Sequence, residues 1–227
     1  MRIRIISIVA VIVSVWSSWL TSAKATLAPV AFTAEVTRVQ DDRGLLEGRV
    51  NVGDPITGVY IYDSSTPDTY DPSMLPGYPP PAPAKGIYEH NAPPYGITLT
   101  VGGFVFMTDP DNVDFVISTT VGLPIIAPGD WYVVASYNNL SLSNGVRTGD
   151  IVLRAMGDTD ALPSDALPVT APDLDRWNTV VVLCSGASGV KDFGFAADVT
   201  SAVLIPEPGT VILLSLGALA LLRIRNR

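Results

Sequence analysis

The sequence predicts an all-β protein, a single β-sandwich or jelly-roll-like domain held between two apolar ends. Short runs rich in β-branched and aromatic residues show period-2 alternation, and Gly, Pro, Asn and Asp separate them at short intervals. No window sustains a 3.6-residue apolar period; Gly189 onward comes nearest and matches it poorly. Roughly ten short strands of this kind build a two-layer β domain rather than an α/β enzyme core.

In chain order, Arg2 and Arg4 precede an apolar run from Ile5 to Trp16, and Ala23-Lys24-Ala25 places small residues where a signal peptidase reads. Residues 1–25 therefore read as a secretory signal peptide, cut between Ala25 and Thr26 after passage through the export machinery. An uncleaved N-terminal anchor is the alternative, because Trp16 and Trp19 lengthen the run. Either way the middle of the chain is exported.

Residues 26–204 remain as the ectodomain, enough for one core. They hold 8 Lys and Arg against 21 Asp and Glu, a net charge of −13 that repels nucleic acid and anionic lipid. Cys184 is the sole cysteine, so no internal disulfide forms; a buried, inert thiol is expected, the alternative being an exposed thiol that pairs between chains. Val30–Val39 alternates and ends in the turn Asp41-Asp42-Arg43-Gly44. Strands are then expected at Gly48–Gly53 and Gly58–Asp63, and at Tyr95–Val101 and Phe104–Met107 around the hairpin dipeptide Gly102-Gly103. Val113–Thr119, Trp131–Tyr137, Asp150–Met156, Thr179–Cys184 and Phe193–Leu204 complete the set.

Two excursions break this rhythm. Residues 64–84 carry Pro67, Pro72, Pro76, Pro79, Pro80, Pro81 and Pro83, which lack the N–H a sheet needs, so this is a surface loop capping one end of the domain. Gly157–Trp177 carries five aspartates, with Leu174 and Trp177 placed to anchor a short helical turn.

Candidate chemistry is sparse. Asp109, Asp111 and Asp114, with Asn112, supply hard oxygens of the kind Ca²⁺ takes and form the candidate calcium site. Their spacing lacks the central glycine and final glutamate of an EF-hand loop, and aspartate is also an ordinary turn former. Paired carboxylates would serve glycoside hydrolysis, but 21 acids offer no selected pair. His90 is the sole histidine and no Gly-x-Ser-x-Gly elbow accompanies it, so it reads as a satisfied or exposed histidine and no catalytic residue is assigned. One Cys and one His are too few for zinc, and no phosphate-binding glycine loop is present, so no cofactor is expected beyond that calcium. Tyr60, Tyr62, Tyr70, Tyr78, Tyr88, Tyr95, Trp131, Tyr132, Tyr137 and Trp177 supply flat rings that pack a core or stack on sugar faces.

The last stretch is the most specific. Ile205-Pro206-Glu207-Pro208-Gly209 leads into Thr210–Leu222, 13 residues without charge, and then into Arg223-Ile224-Arg225-Asn226-Arg227. Leu and Ala dominate the apolar run, Pro208 suits a helix start, and Glu207 suits the positive end of the helix dipole. A transmembrane helix over 209–222 is expected, with Arg223, Arg225 and Arg227 as a basic stop held in the cytoplasm. Thirteen residues rise only about 20 Å against the ~30 Å hydrocarbon core, so the arginines snorkel, the bilayer thins, or Pro208 and Gly209 enter it.

Pro206-Glu207-Pro208, a single apolar segment and an arginine-rich end, in that order, resemble the PEP-CTERM sorting signal of Gram-negative, exopolysaccharide-producing bacteria. The resemblance covers residues 205–227. It implies recognition by exosortase, an integral-membrane cysteine transpeptidase, a transient stay in the inner membrane, and passage to the cell surface or extracellular matrix. A second likeness, carried by Gly48–Tyr62, Pro93–Gly96, Val101–Gly103, Leu142–Gly145 and Asp165–Pro168, is to an ectodomain that recurs among exported bacterial proteins bearing this tail. That resemblance implies a β-sandwich and carries over no assigned activity. The expected role is a non-catalytic structural or glycan-binding part of the envelope or exopolysaccharide matrix. The alternatives are a secreted polysaccharide hydrolase and a plain membrane-anchored domain.

Overall fold

The computed structural model describes residues 27–71, 84–123, 129–189 and 191–206. Among the described residues ten strands form, all paired antiparallel: β1 Leu27–Gln40, β2 Pro55–Asp63, β3 Ala84–His90, β4 Gly96–Val101, β5 Phe104–Met107, β6 Phe115–Leu123, β7 Gly129–Ser136, β8 Arg147–Gly157, β9 Thr179–Ser188 and β10 Lys191–Leu204. Their order across the sheet is β3-β6-β7-β8-β9-β10-β1-β2-β4-β5. The alternation expected of β1 is its burial: Ala28, Val30, Phe32, Ala34 and Val36 point inward and are buried. Gly58 on β2 faces Phe32 in the ladder, and only a residue without Cβ leaves room for that ring.

The all-β expectation holds, but the two layers of a sandwich are here two halves of one continuous sheet. Five strand spacings of about 4.8 Å would put β7 roughly 24 Å from β2 in a flat sheet. Yet the Tyr132 hydroxyl on β7 donates to the Tyr60 hydroxyl on β2 at 3.3 Å. Phe106 on β5 likewise meets Phe195 on β10, ring centroids 5.4 Å apart. The sheet therefore curls into a half-barrel around its own apolar face. The seam is closed by a bridge from Thr108, just after β5, to Asn139, just after β7, and by a 2.8 Å hydrogen bond between the Thr108 and Ser136 hydroxyls. The 14-residue strands β1 and β10 run through both halves, and their register shifts near Thr33/Ala34 and Val36/Arg38 are bulges of the kind that bend a strand.

Two local expectations are corrected. Gly48–Gly53 is a pair of turns rather than a strand, because Glu47, Gly48 and Gly53 all have positive φ (55°, 66° and 91°), which a strand cannot use. The unforeseen β3 begins at Ala84 and turns Gly86, Tyr88 and His90 inward, a set whose glycine and histidine mask the alternation. Residues 66–71 line its outer edge: the Thr69 N–H donates to the Ile87 carbonyl and the Ile87 N–H to Asp68 Oδ1, each at 2.8 Å. Residues 72–83 of the proline-rich stretch lie outside the described residues.

The 157–178 excursion does form a 3₁₀ turn at Leu174–Arg176. It also packs onto the inner face of the curled sheet. Leu162 and Leu167 are buried, and Asp130 Oδ2 and Oδ1 accept the N–H groups of Leu162 and Gly122 at 2.8 and 2.9 Å. The Tyr62 hydroxyl donates to the Pro168 carbonyl at 2.6 Å and the Tyr88 hydroxyl to the Asp165 carbonyl at 2.8 Å.

Candidate functional site

The end of the domain that leads into Pro206 is built by the first and last strands. Val30 stands opposite Leu204, and the Ile205 N–H donates to the Pro29 carbonyl at 2.8 Å, so the ladder runs to the residue before Pro206. Both ends of the described domain, Leu27 and Pro206, thus emerge at one corner of the sheet. Glu207, Pro208, Arg223, Arg225 and Arg227, and the expected leader cleavage residues Ala23, Ala25 and Thr26, lie outside the described residues. So does the segment 209–222; among the described residues no helix is long and apolar enough to cross a membrane.

Asp109, Asp111 and Asp114 fall in the connection between β5 and β6, where one side chain, that of Asp109, closes a local turn. Asp109 Oδ1 accepts the Asp111 N–H at 3.0 Å, the Asp109 carbonyl accepts the Asn112 N–H, and the Asp114 carbonyl accepts the Tyr137 N–H. Among the described residues no three His, Cys, Asp or Glu side chains converge where a metal ion would sit. His90 is buried against Tyr95 and Phe115, with its Nε2 accepting the Asp63 N–H at 3.1 Å. Burial lowers its pKa below the usual histidine value, opposed in part by the Asp63 charge. The Cys184 thiol is buried too, and burial raises its pKa.

The aromatic rings divide into two groups. Tyr60, Tyr62, Tyr88 and Tyr132 are core residues and offer no face to a ligand. Burial pushes Tyr62 up to about 12 and raises Tyr60 and Tyr132 further. Tyr70, Tyr95, Trp131 and Trp177 are half-buried and Tyr137 is exposed. Trp131 lies on the outer face of the sheet with the Arg154 guanidinium 5.7 Å from its ring centroid. Tyr78 is outside the described residues.

Sequence reasoning missed a cleft of about 310 Å³ on the outer face of β8, β9, β10 and β1. One rung of the ladder supplies Val152, Leu183, Ala196 and Arg38; the next supplies Ser185, Gly194 and Gln40, with Asp150 beside Ser185. Gly194 has no side chain, so the surface is hollow between Ser185 and Gln40. The result is an apolar floor with a cation, an acid, an amide and a hydroxyl at its rim. These residues lie up to 158 positions apart, Arg38 to Ala196, so no local pattern announces them.

No curated protein and no solved structure matches this chain. A family model described as the PEP-CTERM protein-sorting motif matches residues 204–227, beginning at Leu204 in the last turn of the β10 ladder. The motif implies export and sorting by exosortase to the cell envelope. The chain carries a PEP-CTERM protein-sorting motif over residues 204–227, which begins at the last residue of β10.

Proposed function

We propose that this is a non-catalytic glycan-binding component of the cell surface or exopolysaccharide matrix. In this reading signal peptidase removes residues 1–25, the 209–222 segment holds the protein transiently in the inner membrane, and exosortase acts at Pro206-Glu207-Pro208. The observation that carries the binding role is the outer cleft. Its apolar floor suits the C–H faces of sugars, and Arg38, Gln40, Asp150 and Ser185 supply both donors and acceptors for hydroxyls. Asp150 is the one carboxylate among the described residues lining it, whereas glycoside hydrolysis takes two.

The test is titration of the domain with exopolysaccharide from its host. Saturable binding without release of reducing ends is expected. Arg38→Ala should weaken binding about tenfold, the equivalent of one charge-assisted hydrogen bond. Turnover abolished by a single carboxylate change would establish the hydrolase instead, and unchanged affinity in Arg38→Ala would remove the cleft from the account.

A further inference from the structure

The outer face of β10, β1 and β2 changes character rung by rung toward the corner where the chain leaves the domain. Asp198 and Glu35 form a charged rung. The next, Ser201-Thr33-Thr57, is all hydroxyl, with Thr33 Oγ1 2.7 Å from Ser201 Oγ. Then comes Val203-Ala31-Val59, and finally Pro29 opposite Ile61 with Ile205 hydrogen-bonded at its other side; beyond these two apolar rungs Leu27 stands opposite Asp63 at the rim. Leu27, Val203, Leu204 and Ile205 are 36, 57, 40 and 42 % exposed, and they are four of the nine exposed large hydrophobic residues among those described. Of the other five, Tyr137 and Leu140 share the β7–β8 connection, and Val52, Val105 and Val169 stand on separate segments.

We infer that this corner is a bilayer-contact surface that seats the domain on the membrane while the tail is inserted. This rests on the reading that the uncharged stretch 210–222 enters the membrane. From Pro206 to Thr210 there are four residue steps, at most about 14 Å when fully extended. Ile205 is still tied to Pro29, so no spacer lifts the domain away from the bilayer. Rungs two residues apart are about 6.7 Å along a strand. The two apolar rungs therefore match the depth of roughly 5–10 Å at which interfacial apolar groups sit, and the hydroxyl rung falls at the headgroups. With a net charge of −13, the domain gains nothing from anionic headgroups, so the contact is hydrophobic and local to this corner. It holds Pro206, the first residue of the sorting triplet, at the membrane surface, within reach of a membrane-embedded enzyme.

The test reconstitutes the full chain in vesicles of phosphatidylethanolamine and phosphatidylglycerol and labels single introduced cysteines with an environment-sensitive dye. The buried Cys184 leaves the new thiol as the labelling site. Val203→Cys and Ile61→Cys report the corner, Val52→Cys the far end of the β1–β2 pair, and Ser215→Cys the tail. Emission at 203, 61 and 215 should shift to the blue and be quenched by headgroup-region or acyl-chain nitroxide lipids, with 52 unchanged. Quenching at 215 but not at 203 or 61 would overturn the inference and leave tail insertion standing. No quenching at 215 would overturn both. A blue shift at 203 that depends on protein concentration and appears without vesicles would assign the corner to a second copy of the chain and overturn the inference.

Discussion

Gly58 stands where a Cβ would enter the Phe32 ring, so Gly58→Ala should cost about 1–3 kcal/mol as an overpacked core contact, read by urea unfolding. A cost near zero would mean the ring moves freely. His90 yields a pH prediction whose direction follows from its depressed folded pKa. The unfolded histidine titrates near 6.5. Above that pH the contribution of neutral, buried His90 is fully present; as pH falls below it, the unfolded chain takes up a proton that the folded one resists, and stability is lost. The melting temperature should fall between pH 7 and 5.5 in the wild type, and less steeply in His90→Gln. Equal slopes would show that other groups govern that range. The sequence left open whether His90 is satisfied or exposed, and the structure buries it. The sequence also hid the inward role of Gly86 and His90 in β3, since neither is apolar.

At the scale of elements, period-2 alternation made β1 readable, and Gly102-Gly103, with φ of 57° and 76°, is the tight β4–β5 turn its composition implies. The segment Gly48–Gly53 misled because its valines alternate, whereas its glycines adopt the left-handed region and end the pairing. The 157–178 excursion was legible as irregular, but its docking was not, because that depends on Asp130, 32 residues from Leu162. Asp130→Ala should leave the buried Leu162 N–H without a partner and cost about 1–3 kcal/mol. Hydrogen exchange at Leu162 should accelerate, with β1 and β10 amides unaffected. Unchanged protection at Leu162 would mean that the tyrosine hydrogen bonds alone hold the excursion.

For the whole molecule, local patterns identify strands without revealing which strands meet. The curl that brings β7 to β2, and the pairing of β1 with β10, are set by ladder register and packing across the chain. The outer cleft follows from that topology, as does the placement of both ends at one corner. The tail was the opposite case: its motif is contiguous, so the sequence alone specified it. The two meet at Leu204, which both ends the pairing of β10 with β1 and begins the sorting motif. The most direct test of the sorting claim is intact mass and fractionation of the protein from its native host with and without exosortase. The account predicts a form beginning near Thr26, lacking the apolar tail and found outside the inner membrane only when exosortase is present. A form retaining Arg227 in the inner membrane of both strains would contradict it.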